Sequence, residues 1–421
     1  MFHPKMKYVY VGLDSHKDTH TAVFLNCFYE KLGELTFKNV PNEFPKFLSE
    51  SKKFKSNELS FLWGFEDVSS YGRALAVFLT NKKEQVKHVN ASLVANERKS
   101  LNVLQKTDSF DAECASRVLL SRFDQLPDFN PQDKYWVLAQ LVVRRRSIVK
   151  GNKSLKNHLQ AYITSHYPSH GKFFKDIDAK SSLAFYEKYP SPEKLDNVSV
   201  EELAAFLKEN GHCNKSIEKA TLILDCVKKD GDTLTDFQDI RNQAVISTIN
   251  QIRNNKKEME SVEILIQNFL KNFDYKLESM RGIDFVTAAN LITEIGDIER
   301  FPTPAKLAKY SGISPVTYAS GKSSVQYANE RGNRELNAIF FNLAISVICT
   351  AGKNKRIVNH YFYDYYHRKI KEGKTKKQSL KCVERKLVNI IWKMMKYKTE
   401  YRNPETKAFE EDIKDKTQES T

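Results

Sequence analysis

The sequence predicts a mixed α/β domain at the N-terminus, a long helical segment behind it and a mainly α-helical C-terminal region. Hydrophobic spacing alternates between strand and helix periods up to about Phe123, then stays helical and poor in turn signals as far as Phe273. Four acids, Asp14, Glu66, Asp108 and Asp111, mark the ends or starts of the early elements in a chain with 67 Lys and Arg against 52 Asp and Glu.

Taken in order, YVYVGLD, HTAVFLN and KLGELTFKNV read as three strands of a meander, EFPKFLSESKKF as a helix and LSFLWGFE as a fourth strand. YGRALAVFLTNKK is helical, EQVKHVN is a fifth strand, and SFDAECASRVLLSRF is an amphipathic helix. Three antiparallel strands followed by alternating helices and strands is the order of the ribonuclease-H-like fold, and the acids fall where that fold places a metal site. The expected divisions are an α/β domain over residues 1–128, a helical coiled-coil arm over 129–276, a C-terminal domain over 277–400 and a disordered tail over 401–421. In the arm, QDKYWVLAQLVVRRRSIVKGNKSLKNHLQAYITSHY makes a helix of roughly 50 Å, and FQDIRNQAVISTINQIRNNKKEMESVEILIQNFLKNF is similar, so the pair reads as an arm rather than a compact core. HYPSHGKFFKDIDAKSS and KYPSPEKL read as loops, with short helices around EELAAFLKENG and KSIEKATLILDCVKK. In the third stretch, ESMRGIDFVTAANLITEIGDIERF has the pattern of two short helices about a Gly282 turn, a helix-hairpin-helix, with Asp284 where a second glycine is usual.

Length and charge narrow the function. At 421 residues the chain has room for two or three cores, and its net charge of +15 favours a polyanionic partner. The most apolar stretch, Ile339 to Cys349, is interrupted by Asn342 and too short to span a membrane, so no membrane partner is expected. MFHPKMKYVYVGLD lacks the apolar core of a signal peptide, and the six cysteines include no CxxC pair, which together point to a reducing, cytoplasmic setting. The absence of HExxH and GxxxxGKS/T patterns leaves zinc chemistry and nucleotide hydrolysis without support.

Acids gathered in a basic chain point to a divalent cation, because clustered negative charge is costly without one. Asp14 ends an apolar strand, with Gly12 before it allowing close backbone approach; alone it also fits an acid turning into a loop, and His16 and Asp18 read as loop residues. Glu66 closes a strand of buried character and must find a partner there, or else it caps the following helix. Asp108 and Asp111 lie three apart, on one helical face that can present both to one ion, although Asp108 as N-cap with Asp111 in the first turn is also ordinary helix-start chemistry.

GLDSHKD, GFEDVSSYG and KTDSFDA, followed more than a hundred residues later by GISPVTYASGK and ERGNREL, together resemble the DEDD transposases of bacterial insertion sequences. That group includes the pilin-gene invertases and the bridge-RNA-guided recombinases. The resemblance covers the first stretch and Glu278 to about Tyr397. It implies a RuvC-like first domain in which Asp14, Glu66, Asp108 and Asp111 hold Mg2+ (or Mn2+). It also implies a serine nucleophile, Ser320 in YASGKSS, that links covalently to DNA; Gly321 supplies a tight turn and Lys322 a positive charge. From the residues alone that segment is also a surface turn, and Ser323, Ser324 and Ser311 stay open as rivals.

For nucleic-acid contact the sequence offers Lys106, the Arg144, Arg145, Arg146 run, Lys322, and Arg331 with Arg334 at a helix start, where a bidentate phosphate clamp fits as well as a solvated face. Tyr361, Tyr363, Tyr365 and Tyr366 interleave with basic residues, but aromatic residues at such spacing are more often core. The implied partners are donor and target double-stranded DNA, a non-coding guide RNA and further copies of the chain, as dimer or tetramer, with acids from one subunit and serine from another. The expected activity is transposition by Mg2+-dependent strand exchange. The alternatives are a RuvC-like structure-selective nuclease and a catalytically inactive RNA- or DNA-binding protein.

Overall fold

The computed structural model of the chain describes residues 3–68, 70–102, 107–129, 133–211, 215–233, 236–320, 323–330, 332–352 and 356–403, without the side chains at 133, 320, 323 and 351. The predicted tail therefore lies, beyond residue 403, outside the described residues. Two compact units are present, Met1–Trp136 and Val137–Thr421.

In the first unit β1 (Tyr8–Ser15), β2 (Thr19–Leu25) and β3 (Lys31–Lys38) form the expected antiparallel meander. After them come α1 (Phe44–Ser51), β4 (Ser60–Phe65), α2 (Arg73–Asn81), β5 (Gln85–His88), α3 (Ala91–Ser100) and α4 (Asp108–Ser121). The sheet order is β3-β2-β1-β4-β5, with β4 parallel to β1 and β5 parallel to β4. Central β1 is buried on both faces from Val9 to Leu13, which explains its unbroken apolar run. Its odd positions, Val9, Val11 and Leu13, pack with Phe44, Phe47, Leu75 and Leu79 under α1 and α2. On the opposite face Tyr10 packs with Ala112, Ala115 and Val118 of α4 and Val94 of α3. Edge strand β3 is half-exposed and alternates, with lysines at both ends, as an unpaired edge requires.

α5 (Asp133–His166) opens the helical region, followed by α6 (Lys180–Lys188), α7 (Val200–Glu209), α8 (Ser216–Asp230) and α9 (Gln238–Leu270). α5 and α9 run antiparallel: Gln238 lies against His166, Asn255 donates to Asn152, and Arg145 pairs with Glu263. The expectation of an arm without a compact core is corrected at the His166 end. There Leu159 and Ile163 of α5 and Ile249 of α9 share a buried core with Phe185, Leu203 and Ile223 of α6 to α8. Leu183, Phe185 and Tyr186 make α6 a core helix, although flanking Pro, Gly and Ser residues give its segment the look of a loop.

Beyond α9, the chain forms α10 (Phe285–Ile295), α11 (Pro304–Tyr310), a hairpin of β6 (Val316–Ser320) and β7 (Ser323–Tyr327), and α12 (Arg334–Ile348). A short pair of β8 (Thr350–Ala351) and β9 (Arg356–Ile357), then α13 (His360–Lys371) and α14 (Lys376–Tyr397), complete it. The first helix expected about Gly282 is only a 3-10 turn, Leu277–Ser279, whose short stretch is tied down by buried Leu277 and Met280. Gly282 takes φ +104°, and Asp284 caps α10 by accepting the Thr287 N–H at 2.7 Å, which occupies a donor a phosphate would need. Among the described residues no helix is long and apolar enough to cross a membrane.

Candidate functional site

The site is built on the even-numbered side of β1, where Gly12 precedes Asp14 by two residues and so shares its face. A Cβ at Gly12 would stand 2.2 Å from the Ala112 carbonyl oxygen and 2.3 Å from the Ser116 amide nitrogen, so only glycine admits α4 this close. Ser116 locks the contact: its Oγ accepts the Gly12 N–H at 2.6 Å and lies 2.8 Å from the Val23 carbonyl oxygen, to which it donates. Ala112 and Ser116 follow Asp108 by one and two helical turns on one face, so docking them against Gly12 carries Asp108 to Asp14. Replacing Ser116 by alanine leaves a buried N–H and C=O without that partner, and a loss of about 1–3 kcal/mol in urea unfolding is expected.

Asp14 Oδ2 and Asp108 Oδ1 lie 3.2 and 3.3 Å from His16 Nε2, and one donor atom from each of the three residues falls within 4.8 Å of the others. The Asp14 side chain is 18% exposed, whereas Asp108 and His16 are open to solvent at 59% and 52%, so the cluster faces outward from a buried base. Burial lifts the Asp14 carboxyl above its usual range; His16 opposes the shift, while the charges of Asp108 and Asp111 add to it. A divalent cation at this point would offset that charge, and two carboxylate oxygens with one imidazole nitrogen are donors such an ion accepts. The donors therefore fit a metal of this kind.

Thr107, not Asp108, caps α4, accepting the Phe110 N–H at 3.2 Å, so the alternative capping role for Asp108 falls to its neighbour. The same substitution of roles occurs after β4. There Asp67, not Glu66, accepts the Ser70 and Tyr71 N–H groups at 2.9 and 2.8 Å. The parallel register ends at Leu13 opposite Phe65, so Asp14 and Glu66 are the next residues on adjacent strands. Glu66 and Asp111 are not among the three residues with donors inside 4.8 Å. Asp111, 12% exposed, meets Arg98 Nε of α3 at 3.2 Å.

Two residues of this site escape the sequence reading. His16 does lie in a loop, just past β1, where its N–H donates to the Thr19 carbonyl oxygen at 2.9 Å; what the sequence does not show is that its imidazole turns back to Asp14 and Asp108. Arg98 sits on α3, whose ASLVANERKS buries only Val94 and gives no apolar stripe to betray a helix.

In the second unit Ser320 ends β6 and pairs in register with Ser323 of β7. The side chains at both positions, together with Gly321, Lys322, Arg331 and Lys106, lie outside the described residues. Ser324 is exposed, whereas Ser311 is fully buried and lies 3.2 Å from the Ala308 carbonyl oxygen, which removes it as a rival nucleophile. Arg334 is exposed at the start of α12, capped by Asn333, which accepts the Leu336 N–H at 2.9 Å. The arginines of α5 meet acids: Arg144 pairs with Glu258, Arg145 with Glu263 at 2.7 Å, and Arg146 with Glu294 at 3.2 Å and Glu335 at 3.3 Å. Their first task is to clamp α5 to α9, α10 and α12; Arg144 remains 53% exposed and keeps a face for other contacts. Tyr361 is core, donating no surface: it is 7% exposed and its hydroxyl takes Lys386 Nζ at 2.7 Å.

Two family models match the chain, a transposase model of the DEDD type over residues 11–168 and "Transposase IS116/IS110/IS902 family" over 274–361, together more than half its length. It is 23% identical to an uncharacterized protein of insertion element IS116 from Streptomyces clavuligerus, over 93% of this chain and 95% of that one. It is 22% identical to an IS110 protein from Streptomyces coelicolor, over 94% and 96% of the two chains. It is likewise 22% identical to the pilin gene-inverting protein of Moraxella bovis, over 93% and 97%. A mixed sheet with acids at the end of its central strand, followed by a helical region, and these matches define a DNA-recombining enzyme. The chain belongs to the IS116/IS110/IS902 family of DEDD transposases of bacterial insertion sequences.

Proposed function

We propose that this transposase excises and integrates its element through a covalent serine–DNA intermediate, with Asp14, Glu66, Asp108 and Asp111 forming the metal-binding side of the site and Ser320 the nucleophile. The observation that carries the reading is the meeting of Asp14, His16 and Asp108 at the end of β1. Mg2+ or Mn2+ held by Asp14 and Asp108 would polarise the phosphoryl oxygens of the scissile phosphate. Asp14, anchored on a buried strand, and Asp108, carried by the close seating of α4 on Gly12, keep their oxygens in place without reorganisation. The Ser320 hydroxyl loses its proton and forms a bond to phosphorus as the bond to the 3'-oxygen breaks, and that oxygen takes up a proton. Attack by another strand's 3'-hydroxyl on the phosphoserine reverses these changes and frees the serine. Because the phosphodiester energy is stored in the serine ester, the exchange needs no nucleotide hydrolysis.

The substrate is donor and target DNA, the working form is a homo-oligomer, and a non-coding guide RNA selects the sites. These readings are supported by the resemblance of the sequence boxes and by the surplus of 15 positive charges. Arg334, with Lys322, Arg331 and Lys106, supplies contacts to the phosphate backbone, and Arg144 adds to them from its exposed face. The test is Ser320→Ala with the element's termini as substrate. Covalent protein–DNA adduct and recombination are expected to disappear while cleavage-independent DNA binding stays. A variant that continued to cut would leave the chain a structure-selective nuclease using activated water.

A further inference from the structure

The β6–β7 hairpin carries more than Ser320. Its register pairs Val316 with Tyr327 and Tyr318 with Val325, so these four share one face of the ribbon with positions 320 and 323, while Thr317, Ala319, Ser324 and Gln326 share the other. Tyr318 is 62% exposed and Tyr327 57%, with their rings edge to face at 5.5 Å. An aromatic face left open on a two-stranded ribbon is costly in water and calls for a partner. Residues 316–327 include no acid, and their single charge is Lys322.

At the base of the ribbon a cavity of about 730 Å3 is lined by Tyr318, Tyr327, Asn329 and Glu330. A second cavity, of about 420 Å3, shares Asn329 and Glu330 and continues to Arg334, Asn337 and Lys381. Its wall is held open by two glycines in contact: a Cβ at Gly332 would stand 2.3 Å from the Gly312 amide nitrogen. Arg334 pairs with no carboxylate among the described residues. Lys381 pairs at 2.6 Å with Glu384, which is buried, so the ammonium is held in place at the cavity. Glu330 at the junction disfavours phosphate there and leaves it to the Arg334 end.

The geometry points to a track for the DNA strand that is cut: a base stacks on Tyr318 and Tyr327, and a phosphate beside it enters the pocket of Arg334 and Lys381. Aromatic platforms joined to cations are how proteins hold unpaired strands, because every base has a face to stack and every nucleotide a charge to neutralise. The track rests on the proposed serine chemistry only for its purpose, which is to hold the strand near position 320; Tyr318 and Tyr327 are positioning residues.

The test uses the full-length protein and a nicked duplex spanning the junction of the element's terminus and its flank, with 2-aminopurine beside the nick. The wild-type protein and Tyr318→Phe/Tyr327→Phe are expected to change the 2-aminopurine emission by stacking. Tyr318→Ala/Tyr327→Ala is expected to abolish that change and weaken binding roughly tenfold or more, with an unaltered melting temperature. Arg334→Gln is expected to keep the emission change but lower the slope of log affinity against log salt by about one. Ser320→Ala should behave as wild type in both readouts and lose only the adduct; if it kept the adduct, the serine assignment would fail and the track would stand. A folded double alanine variant that binds and stacks like wild type overturns the track. So does one that alters only the sedimenting mass, which would make the aromatic face a contact between copies of the chain.

Discussion

Asp14→Asn is expected to lower strand cleavage on the order of 10³-fold or more while making the metal-free protein slightly more stable at neutral pH. The loss follows from the position of the carboxylate. Asp14 is the most buried member of the cluster and the one that touches both the charge of Asp108 and the imidazole of His16. Its amide isostere keeps the shape of the site but not the charge that offsets a cation, and several kcal/mol of transition-state stabilisation go with it. The gain in stability follows from the same burial. Because the folded value of the Asp14 carboxyl lies above its ordinary one, ionisation weakens the folded state. That penalty is absent below the ordinary carboxylate range, sets in as pH rises above it, and is complete once pH exceeds the raised value. The variant never pays it. In chelator, the difference in melting temperature between variant and wild type should therefore appear on raising the pH and vanish in acid. Cleavage that survived the substitution, or a variant less stable than wild type at neutral pH, would remove Asp14 from the centre of the site.

That test rests on a site whose strands were legible and whose contacts were not. The meander, the parallel strands after it and α4 all announce themselves, because a central strand buried on both faces must be apolar throughout and a docked helix must carry one apolar stripe. The acids are visible for the complementary reason: a carboxylate at the end of such a strand is out of keeping with its surroundings. What stayed hidden is the work of neighbours. Nothing in KTDSFDA states that Thr107 takes the cap and so releases Asp108 from it, or in GFEDVSSYG that Asp67 rather than Glu66 organises the turn. These depend on which of two adjacent polar side chains the backbone happens to face. His16 and Arg98 were missed because one lies past the last apolar residue of β1 and the other on a helix with a single buried residue. The helical core at the His166 end was missed because Pro and Gly punctuate its short helices, and local turn chemistry hides a contact made across the fold.

Gly12→Ala, a change of one methyl group, is expected to cost about 3 kcal/mol or more and to reduce cleavage by the folded fraction roughly 100-fold. The magnitude comes from what the methyl meets. Its nearest neighbours at 2.2 and 2.3 Å are the Ala112 carbonyl oxygen and the Ser116 amide nitrogen, both backbone atoms of a regular helix, and neither can swing aside as a side chain would. Relief requires α4 to lift from β1 by about 1 Å, which also stretches the 2.6 Å bond from Gly12 to Ser116 Oγ and parts Asp108 from Asp14. Truncating Ser116 separates the two effects. Ser116→Ala alone removes hydrogen bonds but adds no bulk, so α4 keeps its seat, and the loss should be in stability with cleavage close to normal. The double variant Gly12→Ala/Ser116→Ala opens only the space of the hydroxyl, at 2.6 Å, and leaves both backbone obstructions in place. It should therefore fail to rescue the activity lost by Gly12→Ala. Urea midpoints and single-turnover cleavage on the three variants check this. Recovery of cleavage in the double variant would mean that the Ser116 hydroxyl, and not the approach of two backbones, sets the distance between the carboxylates.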